Sequence, residues 1–284
     1  ERLAFHNEPI ELNANQQINL NLFNQKPAYR KPEASFKQEG LIVFKTTGST
    51  DDVTITPVGK EFKTAYIQKF PKQDSINFWF NPKVDTIVGR SAKLNFKVQH
   101  KDQIDEVSAL YSKSNTERKL EFKALNDQKL APNKPFKVQA NAPIKSLDLS
   151  KIYVFKDTVS IPFKVSIDTV NAQNLNFAFD KNLDEKFEVN IYPNALTDVL
   201  GEKNDTLAYP IKMGTRGDFG HLKLTLQNTP NKPFILQFLK TDKDYTVLEE
   251  LYNPANKNYF EFNFIEPGEY LFRLLVDENE NGKW

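Results

Sequence analysis

The chain has 284 residues, and its 38 Lys and Arg residues against 37 Asp and Glu residues leave a formal net charge of +1. Such a balance gives no bulk field to attract nucleic acid or an anionic membrane surface. Cysteine is absent, which excludes disulfides, thiolate metal ligands and cysteine nucleophiles. A content of 26% charged and 39% hydrophobic residues is typical of a globular chain, and the length predicts roughly two or three domains.

Apolar and polar residues alternate along most of the chain, as half-buried antiparallel strands require. The clearest alternation is at 18–22, 94–98 and 222–226. Further strands are predicted at 53–55, 76–80, 136–138, 187–191, 234–239 and 270–276. A short helical turn is predicted at 194–200, and 244–252 fits either a brief helix or a strand. Because Pro, Asn and Asp clusters recur roughly every 8–12 residues, the pattern predicts an all-β chain of tandem antiparallel β-sandwich domains, Ig-like or prealbumin-like.

The turn clusters divide the chain into segments. Residues 1–24 are interpreted as the end of a preceding β domain, and 25–118 as a complete β-sandwich. A second, Ig-like sandwich is expected at 119–213. Residues 214–218 (GTRGD) indicate a linker or tight turn. A partial, prealbumin-like sandwich is expected at 218–284, so the chain is interpreted as a piece of a longer protein.

For two clusters of aromatic residues, the strand pattern bears on which side chains are buried and which are exposed. In the strand at 76–80, Phe78 and Phe80 share one face and Trp79 lies on the other. Trp79 is either exposed for sugar stacking or protein docking, or buried because the strand is covered on both sides or lies at a domain junction, and burial is favoured. Phe260, Phe262 and Phe264 share a face and are predicted to be core.

The last residues contain half of a calcium-binding loop. Asp277, Asn279 and Asn281 alternate, and Gly282 follows where such loops turn sharply. Hard oxygen ligands at this spacing suit Ca²⁺, although this sequence does not contain the carboxylate that position 12 would supply. The alternative is an Asx-rich turn held by its own side-chain-to-backbone bonds, and this alternative is favoured. No other cofactor is expected, and the sequence contains no G-x-S-x-G, H-E-x-x-H, Walker or G-x-G-x-x-G motif.

Two segments resemble one protein family. The first contains NAPI at 141–144 and IYPNALTDVLG at 191–201, followed by NDT at 204–206. The second contains EPGEY at 266–270 and DENENGKW at 277–284. These motifs are similar to the Ig-like domains of Bacteroidota cell-envelope lipoproteins. Taken as residues alone, the turn at 193–201 is interpreted as a structural crossover, because Pro193 presets φ and Gly201 permits a positive φ.

The resemblance implies a function as well as a fold. It implies a non-enzymatic outer-membrane lipoprotein that is a scaffold or accessory subunit of an outer-membrane protein complex. The partner would be an outer-membrane barrel or another lipoprotein, and the membrane would be reached only through an anchor outside this chain. The protein would be exported, on the periplasmic or the exposed side of the outer membrane. The alternatives are a glycan-binding module of a surface polysaccharide-uptake system and an enzyme whose active site lies outside this chain.

Five Asp-Ser/Thr-aliphatic tripeptides occur, where composition alone gives roughly one. The pattern resembles the O-glycosylation acceptor of exported Bacteroidota proteins, and the acceptor hydroxyls would be those of Ser75, Thr86, Thr158, Thr169 and Thr206. The alternative is that Asp-Thr ends a turn and the β-branched residue begins a strand. Both interpretations stay open.

Overall fold

The computed structural model describes residues 2–3, 23–24, 29–70, 73–85, 87, 89–115, 118–243, 245–254 and 257–282. In this part of the chain, the secondary structure consists of antiparallel strands and two short 3₁₀ turns. The predicted all-β class with tandem sandwiches is therefore confirmed. The predicted strand at 18–22 lies outside the described residues. No helix in the described part of the chain has both the length and the apolar character to cross a membrane.

The first sandwich has a four-stranded and a three-stranded sheet. The four-stranded sheet has the order β3 (Glu33–Gln38), β4 (Leu41–Lys45), β7 (Ser75–Trp79), β6 (Tyr66–Lys69). The other has the order β5 (Val53–Val58), β8 (Ser91–His100), β9 (Gln103–Ser112). Phe44, Phe78 and Phe96 meet edge to face between the sheets. Before this sandwich, the short strands β1 (Arg2–Leu3) and β2 (Phe23–Asn24) pair with each other.

The second sandwich places two four-stranded sheets face to face. One has the order β10 (Phe122–Ala124), β11 (Phe136–Ala140), β16 (Asn174–Phe179), β15 (Phe163–Ile167). The other has the order β14 (Val159–Ile161), β13 (Ile152–Lys156), β17 (Lys186–Ile191), β19 (Leu207–Lys212). Inward residues such as Val154, Phe177 and Val189 are fully buried, because each strand alternates its side chains between the core and water.

The helical turn predicted at 194–200 is wrong. These residues contain β18 (Leu196–Asp198), which pairs with β12 (Ile144–Leu147). Asn194 has a φ of 62°, which breaks a right-handed helix. The backbone N–H of Leu196 then donates to the side chain of Asn204 at 2.7 Å instead of to a helical carbonyl. Cross-strand and side-chain bonds have replaced the local helical ones.

The third group of strands also forms two layers. The pair β20 (Gly220–Thr225) and β23 (Tyr259–Ile265) faces the order β22 (Val247–Asn253), β21 (Phe234–Lys240), β24 (Tyr270–Val276). The strand interpretation of 244–252 is therefore confirmed for 247–252, which lie in β22, while residue 244 lies outside the described residues. Phe260 and Phe262 are buried in the core as predicted. The prediction for Phe264 is wrong, because this residue lies in a bulge with a φ of 57° and its half-buried ring meets Phe219.

The three large cores are formed within separate parts of the sequence. Their members lie between 34 and 111, between 120 and 213, and between 224 and 272. Residues 214–218 form a turn that includes the 3₁₀ segment Arg216–Asp218, as the GTRGD sequence indicates. The domain ranges 1–24, 25–118, 119–213 and 218–284 stay predictions.

Candidate functional site

A small apolar cluster joins the first and second sandwiches, and Trp79 is at its centre. Phe78 and its neighbour Phe80 point into the first core, so the indole of Trp79 points to the opposite face of the sheet. There it packs with Ala142 and Leu200 of the second sandwich, and only 1% of Trp79 is exposed. The prediction that Trp79 is buried is confirmed, and the residues that cover it belong to the second sandwich. We refer to the contact of Trp79, Ala142 and Leu200 as the junction.

Hydrogen bonds extend the junction from one sandwich to the other. The Trp79 Nε1–H donates to Gln68 Oε1 at 3.1 Å. Gln68 is itself buried, and its Nε2 donates to Asn171 Oδ1 of the second sandwich at 3.0 Å. Buried polar groups need partners, so the indole N–H and the Gln68 amide fix each other's orientation. This chain of bonds makes the junction geometrically specific, which apolar contact alone does not.

A buried ion pair holds the loop that carries Leu200. Asp198 is fully buried, and its Oδ2 accepts a hydrogen bond from Arg118 Nη2 at 2.7 Å. Its Oδ1 accepts the backbone N–H groups of Leu200 and Glu202, each at 2.9 Å. A carboxylate that receives several such bonds is strongly fixed. Asp198 therefore presents the Leu200 side chain to Trp79.

The turn around Leu200 has further contacts with the first sandwich. The side-chain amide of Asn81 donates to the Leu200 carbonyl oxygen. Lys83 Nζ lies 3.3 Å from Glu202 Oε1 at the exposed rim. Gly201 has a φ of 88°, as the crossover interpretation requires. What the sequence did not indicate is that this crossover contacts another domain; an apolar Leu at the tip of a polar turn was the available signal.

Gly40 allows close approach on the other side of the junction. It has a φ of 83° in the turn between β3 and β4. A Cβ at this position would lie 2.8 Å from the Phe80 carbonyl oxygen and 3.0 Å from Leu200 Cδ1. Both the backbone conformation and the space therefore require glycine here.

The calcium candidates lie in the turn that follows β24, where the side-chain oxygens bind the turn's own backbone. Asp277 Oδ2 accepts the Gly282 N–H at 2.7 Å, and Asp277 Oδ1 accepts the Asn281 N–H at 3.3 Å. Asn279 Oδ1 also faces the Asn281 N–H, at 3.4 Å. This is Asx-turn geometry, and the calcium site stays a prediction. Among the described residues, no group of three or more His, Asp or Glu side chains is placed to hold a metal ion.

The glycosylation candidates lie on separate turns and strand ends, and the structure does not bring them together. Thr158, Thr169 and Thr206 are exposed, Ser75 is half-buried at the start of β7, and Thr86 lies outside the described residues. The aliphatic residues that follow Thr158 and Thr169 are Val159 and Val170, which are 65% and 55% exposed. Val159 begins β14 and Val170 lies in the turn between β15 and β16, and neither is buried, whereas the Ile76 that follows Ser75 is core. Glycosylation stays a prediction at all five positions.

Comparison with known proteins gives no family for this chain. No protein-family model matches the sequence, and the comparison with curated proteins found no match. One solved structure with some likeness is SGBP-B of the mixed-linkage glucan utilization locus of Bacteroides ovatus, in complex with a mixed-linkage heptasaccharide; it is 13% identical, with a TM-score of 0.26 over 85% of this chain and 70% of that one. Another is the FN1-FN3 segment of chicken CNTN1, 7% identical, with a TM-score of 0.20 over 87% of this chain and 98% of that one. At these scores, the likenesses carry no argument about function.

Proposed function

We propose that this chain is a non-enzymatic, rigid scaffold of β-sandwiches in a bacterial cell envelope. The observation that supports the proposal is the junction, in which Trp79 of the first sandwich is buried against Ala142 and Leu200 of the second. Domains that share one chain are expected to move relative to each other unless contacts between them oppose the motion. A buried indole with a bonded N–H, next to a fully buried carboxylate, opposes such motion.

The proposed scaffold acts mechanically, by keeping its sandwiches at a fixed angle to each other. A spacer transmits position only if its modules keep a fixed angle, and the junction resists bending because opening it exposes the Trp79 ring. Opening also leaves Gln68 without its partner Asn171 across the gap. Each loss costs free energy, so the bent states are weakly populated. The outer faces and edge strands of the sandwiches are then free to serve as contact surfaces.

The location and the partner are part of the proposal, and the sequence resemblance to Bacteroidota envelope lipoproteins supports them. We propose an exported protein at the outer membrane that is tethered by a lipid anchor outside this chain. Its partner would be an outer-membrane barrel or another lipoprotein, and the chain would be an accessory subunit of that complex. No cofactor is needed for this function, and no residue is assigned a catalytic role.

The test is co-purification from the native host. The full-length protein is tagged and extracted gently from the envelope, and its stoichiometric partners are identified. We expect a barrel or a lipoprotein at a fixed ratio, and a lower yield of the complex with Trp79→Ala, because a loosened junction no longer positions the contact surfaces. A protein that is extracted alone would contradict the proposal.

A glycan-binding module of a polysaccharide-uptake system is the second candidate function. The observation that favours it is a group of partly exposed aromatic side chains, including Tyr153 and Tyr192, on the outside of the second sandwich.

A further inference from the structure

Three aromatic rings lie together on the outer face of the second sandwich. In β13, Ile152 and Val154 point into the core, so Tyr153 and Phe155 point outward. The Tyr153 and Phe155 rings are nearly parallel, at 19°, with centroids 6.1 Å apart. Tyr192, which follows β17, meets Tyr153 edge to face at 5.7 Å. We refer to Tyr153, Phe155 and Tyr192 as the aromatic face.

The aromatic face is held in place by its own backbone contacts. The Tyr192 N–H donates to the Lys151 carbonyl oxygen at 2.9 Å, and the Tyr192 carbonyl oxygen accepts from Asn204 Nδ2 at 2.9 Å. Asn204 is buried and therefore a fixed anchor. The Tyr153 hydroxyl donates to the Ser150 carbonyl oxygen at 3.0 Å. A preorganised surface of this kind loses little entropy when it binds.

The rings remain accessible in spite of these contacts. Tyr153 is 38% exposed and Tyr192 is 44% exposed. They border an open depression of about 400 Å³, lined by Ser150, Lys151, Tyr153, Phe155, Tyr192 and Pro193. Because the depression is open, a ligand would lie against the rings and would not be enclosed by them.

Hydrogen-bonding groups flank the rings. On the neighbouring strand β17, Asn190 is paired with Tyr153 of β13, and Glu188 is paired with Phe155 of β13. Asn190 Nδ2 donates to Glu188 Oε1 at 2.7 Å, so the amide and the carboxylate are oriented by each other. Across β17, Asn190 is paired with Ala208 of β19. Because the side chain of Ala208 is small, it leaves the Asn190 amide accessible from that side.

We propose that the aromatic face binds a neutral oligosaccharide. Exposed aromatic rings offer their π-faces to the C–H faces of pyranose rings, and a neighbouring carboxylate and amide satisfy sugar hydroxyls. Glu188 disfavours an acidic sugar at this position, and the cation of Lys151 is already paired with Asp148 at 3.0 Å. A protein partner would need a contiguous apolar patch of several hundred Å². The aromatic face consists of three rings, and polar residues limit it beyond them. The inference rests on the second candidate function and gives its site and ligand class; it is independent of the scaffold function.

Isothermal titration calorimetry of the 284-residue chain tests the site. The probes are neutral hexasaccharides with β-1,4-glucose, β-1,4-mannose or β-1,3-glucose linkages at millimolar concentration. We expect at least one of them to bind. Tyr192→Ala is expected to weaken that binding at least about tenfold, whereas Tyr192→Phe keeps the ring and stays within about threefold. Circular dichroism monitors the fold of each variant, and Tyr259→Ala, which removes an exposed tyrosine of the third sandwich, is the matched control with unchanged binding.

Several results would overturn the proposal. They are no binding of any neutral hexasaccharide to the wild-type chain, equal binding by Tyr192→Ala, and tighter binding of an acidic oligogalacturonate. A photo-crosslinker at position 192 that captured an envelope protein at a fixed ratio would assign the face to a protein partner instead. Trp79→Ala separates this site from the scaffold function, because it loosens the junction and is expected to leave saccharide binding unchanged.

Discussion

The replacement Trp79→Ala is the perturbation for which the structure gives the most definite expectation. Burial of a Trp side chain removes about 200 Å² from water, which at about 25 cal/mol per Å² corresponds to about 5 kcal/mol. Large-to-small substitutions of buried aromatic residues cost about 3–5 kcal/mol in measured series. The junction lies between two sandwiches and can admit water once the ring is gone, so we expect the lower end, about 3 kcal/mol.

The form of the unfolding transition is as informative as its size. With Trp79 in place, the first and second sandwiches are expected to unfold together in urea, because each stabilises the other through the junction. In Trp79→Ala the transition is expected to separate into two. The measurement is circular dichroism against urea, with differential scanning calorimetry as a second readout of the number of transitions.

Two control variants isolate the junction from general effects of substitution. Trp79→Phe keeps a ring but removes the N–H that Gln68 accepts, so an intermediate loss of about 1–2 kcal/mol is expected. Leu110→Ala alters an exposed side chain of the same sandwich and is expected to stay within about 0.5 kcal/mol of the wild type. A loss below about 1 kcal/mol for Trp79→Ala, with a single unchanged transition, would refute the reasoning.

Further predictions concern the junction and the linker. Asp198→Asn leaves a buried guanidinium without its carboxylate and is expected to destabilise the chain by about 3–5 kcal/mol in urea unfolding; a change below about 1 kcal/mol would contradict this. Gly40→Ala and Gly59→Ala both force alanine to a positive φ, but only Gly40 has close neighbours, so Gly40→Ala is expected to cost about 1–3 kcal/mol more. Bonds from Lys129 and Thr215 lower the pKa of Asp218 from 3.8 to about 2. The folded state therefore favours the charged carboxylate. We expect Asp218→Asn to lower the urea midpoint of unfolding by its full amount above pH 4 and by progressively less towards pH 2. A decrease that does not depend on pH would contradict this.

The alternation of apolar residues was sufficient to predict eight of the described strands, among them β8, whereas others such as β9 and β16 were not predicted. Leu94, Phe96 and Val98 alternate in the sequence and all three are buried, because a strand with one wet face leaves little freedom in register. The local sequence did not distinguish a helical turn at 194–200 from a strand. The bond from the Leu196 N–H to the Asn204 side chain, which replaces a helical bond, depends on how the chain returns eight residues later. The bulge at Phe264 depends likewise on how β20 pairs with β23.

The surfaces were harder to predict than the strands. Residues 152–155 (IYVF) are apolar on both faces of the strand, so alternation does not say which side meets water. The orientation is decided by the partner strand, whose Val189 is buried opposite Val154 and whose Asn190 lies beside Tyr153. The burial of Trp79 was favoured from sequence, but its contacts Ala142 and Leu200 come from distant positions that no local pattern joins.

The central claim is that the first two sandwiches keep a fixed relative orientation. The chain has no cysteine, so spin labels are introduced without background by Ile104→Cys in the first sandwich and Lys164→Cys in the second, both at exposed positions. Double electron–electron resonance then gives the distribution of distances between the labels. The account predicts one narrow distribution that becomes broad when Trp79→Ala is added. A distribution that is already broad with Trp79 in place, and unchanged by its removal, would contradict it.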